Sequence, residues 1–436
     1  MTLLDVVEAG SLRGLWQLHG NLIHVFALLS ILVMNEAHLS YPSFKSTVGR
    51  RAAFPDESIF QVAAYAVAQA VYRLWFHPLR HFPGPTYMAL SNLPSAYSEN
   101  IRGTWVRRVA RLHREYGPAV RIGPDHLSFD GSIGWNAVYG HRPGSGTKAV
   151  EFSKPPPIFP DGSLSLISAD RPVHRRQRRQ LAHGFSDGAL AQQEPTLVRY
   201  VHLLLGCLTD RVPDDDEGAV VDVVSWFNVT TLDIIGQLAF SEPFSCLDKD
   251  GHRDPWMLSI ADGVRGVGLR RFSNLYPLLG WFLKTLGLGS SVRSFDMVRE
   301  ASRQKAVSRL HRGSQHGEAT GGSSSSDDDD QHDFIAYMLR PTRDGADGMS
   351  RQEVLANAPA LVIAGSETTA SALSGFCFYM SRNRHAYATL ADEIRCAFSC
   401  EQDIDLRRTA SLEYLQATIN EVLRIYPPAA QTQHRG

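Results

Sequence analysis

Cysteine is scarce in this chain. There are five among 436 residues, Cys207, Cys246, Cys377, Cys396 and Cys400. So few and so unevenly spaced, they exclude a disulfide framework and suit a reducing compartment. Cys396 and Cys400 stand one helical turn apart, but no nearby histidine or cysteine pair completes a tetrahedral metal site, and two small core or surface residues is the better reading. Neither sign of charge is in excess: 44 Lys and Arg against 45 Asp and Glu give a net charge of −1, so no nucleic-acid partner is expected. Long unbroken apolar runs are missing too. Leu22 to Met34 is nearly all apolar but only 13 residues long, short for a bilayer span unless its flanks contribute. No internal repeat is apparent. What remains is globular in composition, 43% hydrophobic and 20% charged, and long enough for one large domain or two or three smaller ones.

A second run, Ile59 to Phe76, is interrupted by Gln61, Gln69 and Arg73 and closes on Tyr72, Trp75 and Phe76, an interfacial aromatic belt. Arg80, Arg102, Arg107, Arg108, Arg111 and Arg114 follow. By the positive-inside rule they place the body of the protein in the cytoplasm. A secretory signal fits poorly, because Arg13 lies well ahead of the first run and Asn35-Glu36-Ala37-His38 is a weak cleavage site. Residues 1–76 are therefore read as a membrane-anchor region, with two core helices as the alternative. His77-Pro78 and Pro83-Gly84-Pro85 make a stiff connector where a helix must stop.

Beyond the connector, Trp105 to Tyr116 has an amphipathic helical pattern. Val120-Arg121-Ile122 and His126 to Phe129 alternate like short strands around Gly123-Pro124-Asp125. From about Arg171 the pattern is helical, notably over Leu197 to Leu208 and Val220 to Phe240. Gly313 to Asp330, with its serine and aspartate runs, cannot bury enough apolar surface to offset its ordering entropy and is expected to be a flexible loop. It interrupts one domain, 77–436, rather than separating two.

Three groups of residues point to chemistry. Leu355 to Met380 is an apolar helical pattern broken by Ala364-Gly365-Ser366-Glu367-Thr368-Thr369. A glycine inside a helix costs about 0.5–1 kcal/mol relative to alanine, a buried Glu367 needs a partner or a neutral state, and Thr368 can return its hydroxyl to a carbonyl one turn back. An acid beside an alcohol in a widened groove suits proton delivery; a small-residue helix crossing explains the same letters about equally well. Glu421 and Arg424, 52 residues beyond Thr369, are spaced to pair on one helix, and Tyr426-Pro427-Pro428 ends that helix abruptly. His174-Arg175-Arg176-Gln177-Arg178-Arg179 is a basic patch in which His174 and Arg178 share a face. A solvated basic helix would by itself explain it.

Taken in order, these motifs resemble those of the cytochrome P-450 monooxygenases. Tyr72 to Leu79 leading into Phe82-Pro83-Gly84-Pro85 looks like the connector of fungal microsomal members. Arg114-Glu115-Tyr116-Gly117-Pro118, Val120-Arg121-Ile122-Gly123-Pro124 and Phe240-Ser241-Glu242-Pro243-Phe244 resemble segments of the same subgroup. The likeness runs from about Val71 to Arg435. It implies a mainly α fold with a small β region, the cytochrome P450-like fold.

Roles carry over residue by residue. Thr368 would hydrogen-bond dioxygen and relay protons with Glu367 beside it. Ala364 and Gly365 would leave room over a haem. His174, with histidine where many members have tryptophan, would hold the haem propionates with Arg178 and Arg435. Glu421 and Arg424 would form a structural network behind it. The resemblance implies haem, NADPH as electron source through a membrane-bound reductase, a lipophilic small-molecule substrate from fungal secondary metabolism, and residence on the endoplasmic reticulum membrane facing the cytoplasm. The family's F-x-x-G-x-R-x-C-x-G loop and meander arginine are not found before Gly436, and none of the five cysteines stands in for the metal ligand. The fold is accordingly expected to lack its C-terminal part. The rival expectations are an inactive truncated remnant, a non-catalytic membrane-bound helical protein, or a chain that continues past Gly436.

Overall fold

The computed structural model describes residues 55–135, 163–212, 219–247, 255–318, 333–341 and 348–430, with Val138 and Lys154. The fold is mostly helical with one small sheet. It divides into two compact units, residues 1–145 with 265–292 and residues 146–264 with 293–436.

The first unit carries the connector and the sheet. Helix α1, Pro55–Val71, runs into a wider turn at Tyr72–Phe76, where Val67, Trp75 and Phe76 are largely exposed. The first apolar run, Leu22 to Met34, lies outside the described residues. Arg73 is buried and donates to the Leu90 carbonyl. Arg121, also buried, donates to the carbonyls of Arg73, Gly123 and Pro124, so the chain just after α1 is pinned to the sheet rather than hanging free. Helix α2 is Trp105–Tyr116, as its periodicity indicates. The strands β1, Ala119–Arg121, and β2, Leu127–Phe129, pair antiparallel with Val120 opposite Ser128, one residue away from the expected bounds because the turn takes up Ile122 and His126. Met88, Leu112, Val120 and Ile122 form the core beneath them. Gly84, at φ 159°, lies against the Arg121 carbonyl, where a Cβ would come within 2.4 Å of the oxygen; only glycine allows that approach.

The second unit is built on paired helices. In chain order, α3 is Arg171–Ala182, α4 is Asp187–Thr209 and α5 is Val223–Phe240. Helix α6, Gly289–Glu318, enters from the first unit. It extends to Glu318, into the stretch expected to be a loop; residues 319–330 of that stretch lie outside the described residues. Helix α7 is Phe334–Leu339, α8 is Arg351–Arg382, α9 is Arg384–Ala397 and α10 is Glu413–Ile425. Trp226, Val229, Leu232, Ile335, Met338, Val354 and Val362 lie in one buried cluster.

Helices α5 and α8 are long and apolar enough to cross a bilayer by length and composition. Burial of 56% of the apolar window of α5 in this core accounts for its character, whereas only 22% of that of α8 is buried, although α8 supplies Val354, Ala358 and Val362 to the core. Asp233, 1% exposed inside α5, accepts from the Cys246 and Leu247 amides. Asp333 is buried with Arg309, accepts from Ser241 and caps α7. Glu242, in the segment expected to be a family signature, pairs with Lys305 at 2.6 Å and Arg312 at 3.0 Å and so fixes the end of α5 to α6. These pairs shape the frame around α8.

Candidate functional site

Helix α8 begins with a reciprocal cap. The Ser350 hydroxyl accepts from the Glu353 amide and the Glu353 carboxylate accepts from the Ser350 amide. Glu353 also takes hydrogen bonds from Arg176 and Gln177 of α3. Burial pushes its carboxyl up, but the bonds from Arg176, Ser350 and Gln177 outweigh burial and hold it below the ordinary value. One turn on, Asn357 is 2% exposed. Its Oδ1 accepts from the Leu166 amide at 2.8 Å and its Nδ2 donates to the Glu353 carbonyl at 2.9 Å. Pro359 follows inside the helix and removes one backbone donor.

The polar break comes next. Ala364 is exposed although it sits in the middle of a core helix. Glu367 and Thr368 lie three and four residues on, hence on the same face, and both are half-buried. The Thr368 hydroxyl donates to the Ala364 carbonyl at 2.5 Å. Glu367 Oε2 is buried without a hydrogen-bond partner among the described residues, and burial raises its pKa above the ordinary carboxylate value. Ser366 turns inward, 1% exposed, and bonds back to the Val362 carbonyl.

Gly365 faces elsewhere. A Cβ there would lie 2.6 Å from Ile235 Cδ1 on α5. Its missing side chain therefore serves the helix crossing, while the open surface belongs to Ala364. The close crossing falls on Gly365, and Ala364 beside it is exposed.

On α3, the His174 Nδ1 lies 2.8 Å from the Leu166 carbonyl, and Arg178, one turn later, is exposed with no ion pair among the described residues. The same Leu166 is held by Asn357, so α3 and α8 are joined by hydrogen bonds about 10 Å along the helix from Ala364. Arg435 lies outside the described residues. Glu421 and Arg424 on α10 form a two-pronged ion pair, 2.6 and 2.7 Å, with side chains 56% and 69% exposed. Tyr426 packs where Gly375 leaves space on α8, and Glu393 of α9 accepts from the Tyr414 and Leu415 amides at the start of α10. These contacts place the pair beside the C-terminal part of α8, away from the break.

The cysteines do not gather at this face. Cys377 lies nine residues after Thr368, half a revolution round the same helix, and burial pushes its thiol up, away from thiolate. Cys246 is buried, and Cys396 and Cys400 are exposed. Among the described residues, no group of three histidine, cysteine or acidic side chains is placed to hold a metal ion. Sequence reasoning missed Asn357, Gln177 and Glu353. Ser350-x-x-Glu353 was visible as a capping box; nothing local marks the other two.

A cytochrome P450 family model matches residues 83–435. A cytochrome P450 monooxygenase, aclL, of Aspergillus oryzae is 36% identical over 387 residues, 87% of this chain and 73% of that protein. The averantin hydroxylase of Dothistroma septosporum is 32% identical, over 85% of this chain and 66% of its own. The trichothecene C-15 hydroxylase of Fusarium sporotrichioides is 34% identical, over 84% and 70%.

Proposed function

The chain belongs to the cytochrome P450 family, and from that premise we propose that it serves as a membrane-anchored monooxygenase acting on a lipophilic small molecule. Its relatives are fungal monooxygenases of secondary metabolism, and the family works with haem, a small-molecule substrate and a redox partner fed by NAD(P)H. The observation that carries the reading is the face of α8 formed by exposed Ala364, the unpartnered Glu367 carboxyl and the Thr368 hydroxyl.

The residues present fit one side and the edge of a haem. Ala364 has no bulk to block a flat ligand, and His174 and Arg178 present donors suited to its carboxylates. None of the five cysteines is suited to hold the haem iron: Cys207 lies on α4, Cys246 is buried, Cys377 is on the opposite face of α8 with its thiol pushed up by burial, and Cys396 and Cys400 lie at and beyond the end of α9. When bound, the haem supplies activation of dioxygen.

This chain's own residues supply the proton path. Burial raises the Glu367 pKa, so this carboxyl holds its proton more readily than a solvated one and can pass it to a neighbour. The Thr368 hydroxyl, one residue on, can release the Ala364 carbonyl and pass a proton outward over the open face. Ala364 leaves the space in which an apolar substrate and dioxygen meet. The anchor is 1–76, with 77–436 as the P450-like domain. The exposed Val67, Trp75 and Phe76 suit an interface at the endoplasmic reticulum membrane, where a membrane-bound reductase would deliver electrons from NADPH.

The test is product formation in microsomes carrying the chain joined to a segment that supplies a cysteine ligand, with an NADPH reductase, offered averantin, trichothecene skeletons and isotopically labelled dioxygen. A one-oxygen mass gain carrying the label is expected. Thr368→Ala should consume NADPH with product falling roughly 10²-fold, the scale of a lost proton-transfer group. Label arriving from water instead, or unchanged coupling in Thr368→Ala, would refute the assignment.

A further inference from the structure

One hydrogen-bonded chain in the second unit ends on a ring nitrogen that has no partner among the described residues. Asn357 Oδ1 accepts from the Leu166 amide, and Nδ2 donates to the Glu353 carbonyl and, at 3.4 Å, to Gln177 Oε1. A backbone amide can only donate and a backbone carbonyl can only accept, so the two ends of the Asn357 amide are compelled. Gln177, fully buried, donates to the Leu164 carbonyl at 3.0 Å. Two amide side chains from two helices thus grip one turn.

The Leu166 carbonyl of that turn has a single side-chain partner among the described residues, His174 Nδ1. A carbonyl carries no hydrogen, so the proton sits on Nδ1. Free neutral histidine favours the proton on Nε2; here the turn imposes the other tautomer. The imidazole is half-buried, and Nε2 has no partner among the described residues. The hydrogen-bonded chain thus ends on a ring nitrogen beside exposed Arg175 and Arg178.

We propose that Asn357 is a positioning residue: through Leu166 it fixes the His174 ring with Nδ1–H inward and Nε2 outward, so that a ligand carboxylate meets a pre-aimed imidazolium. The ring needs only to gain a proton at Nε2 to donate at both ends, without turning. The proposal rests on the reading of His174 as a contact for haem carboxylates, and extends it to a buried residue on another helix that never touches the ligand.

Nitrogen-labelled histidine in the full chain, read by two-bond proton–nitrogen correlation at a pH where the ring is neutral, tests the positioning directly. His174→Ala identifies the signal. Wild type should show the Nδ1-protonated pattern and Asn357→Ala the Nε2-protonated one. Asn357→Asp, which keeps the acceptor for the Leu166 amide, should retain the wild-type pattern. His113, whose Nδ1 also donates to a carbonyl, that of Gly117, gives the reference signature. Should Asn357→Ala not fold, Asn357→Ser, too short to reach the turn, is read the same way. An unchanged His174 pattern in the folded variant overturns the proposal.

Hemin titration, with hemin dimethyl ester as the carboxylate-masked control, tests the ligand. His174→Ala should weaken hemin about tenfold, and Asn357→Ala should weaken it only when His174 is present. Losses that add in the double variant overturn the positioning role. Equal hemin affinity with and without His174, or none in either, overturns the carboxylate reading and leaves the tautomer result standing.

Discussion

Glu353 and Asn357 in the opening turns of α8, and Glu367 and Thr368 farther along it, are an acid with a small polar residue set into the same apolar helix. The fold treats them oppositely. Glu353 is capped, hydrogen-bonded to Arg176 and Gln177, and held ionised; Asn357 uses both ends of its amide. Glu367 keeps a buried oxygen with no partner, and Thr368 has only its own helix to bond. Buried polar groups in folded chains are nearly always satisfied. Only the Glu367 oxygen departs from that rule among these four residues, and it does so on the face where the proposed site would lie.

The contrast is sharpest in stability. Asn357→Leu keeps the branched outline in a bulkier side chain but strands the Leu166 amide and the Gln177 Oε1 in the interior, and should cost about 3 kcal/mol at roughly 1–3 kcal/mol per stranded group. Thr368→Ala loses only a bond within its own helix, and the higher helix propensity of alanine, up to about 0.7 kcal/mol, offsets that loss. It should stay within about 0.5 kcal/mol of wild type. Urea unfolding followed by circular dichroism measures both. Equal losses would erase the distinction between the two polar sets.

Gly365→Val probes the boundary between them. The new Cβ would meet the end of Ile235 at 2.6 Å. Ile235 can yield only partly, because its neighbours on α5 are buried, and overpacking of this kind costs about 1–3 kcal/mol. Ala364→Val, on the open face, should cost well under half as much. If the order reverses in the same urea experiment, the crossing is at Ala364 and the open face is at Gly365.

The helix itself was legible. Its apolar length over Leu355 to Met380 and its polar break are local patterns, and so are the bounds of α2 and the end of α10 before Pro427; the Ser350–Glu353 cap that starts the helix at Arg351 is not part of that reading. The use of each polar residue was not. Whether Gly365 makes a crossing or a groove depends on Ile235, 130 residues earlier, and the His174–Leu166–Asn357 chain joins positions 191 residues apart at its longest step. Periodicity tells which face is apolar, never which neighbour arrives there.

The two acids should also answer pH in opposite senses. Glu353 has a depressed folded-state value, so its contribution is present above the unfolded range near 4.5 and is lost as pH falls through the folded value. Glu367 is raised, so the folded state is favoured most below that range, and stability declines as pH rises through the raised value. Glu353→Gln should therefore be less stable than wild type at neutral pH and converge with it in acid. Glu367→Gln should match wild type in acid and exceed it at neutral pH. Both groups are partly exposed and solvent screens the effects, so urea midpoints across a pH series are needed. Same-sign curves would mean that the two acids are not differently satisfied.

The smallest effect is expected at Glu421 and Arg424, although they form a two-pronged ion pair. The guanidinium grips both carboxylate oxygens, and each partner shifts the other in the sense of attraction, the Glu421 pKa down and that of Arg424 up, chiefly through their hydrogen bond. Yet both side chains stand in water, where solvent competes for each charge and salt screens what is left. The helix does not depend on them: Thr418 and Val422 face inward, and Glu393 holds its first turn. Glu421→Gln should therefore leave the urea midpoint unchanged within error, at low and at high salt. A clear loss of stability would show that the pair is tied to a group beyond the described residues, and it would then belong with the saturated set at the start of α8.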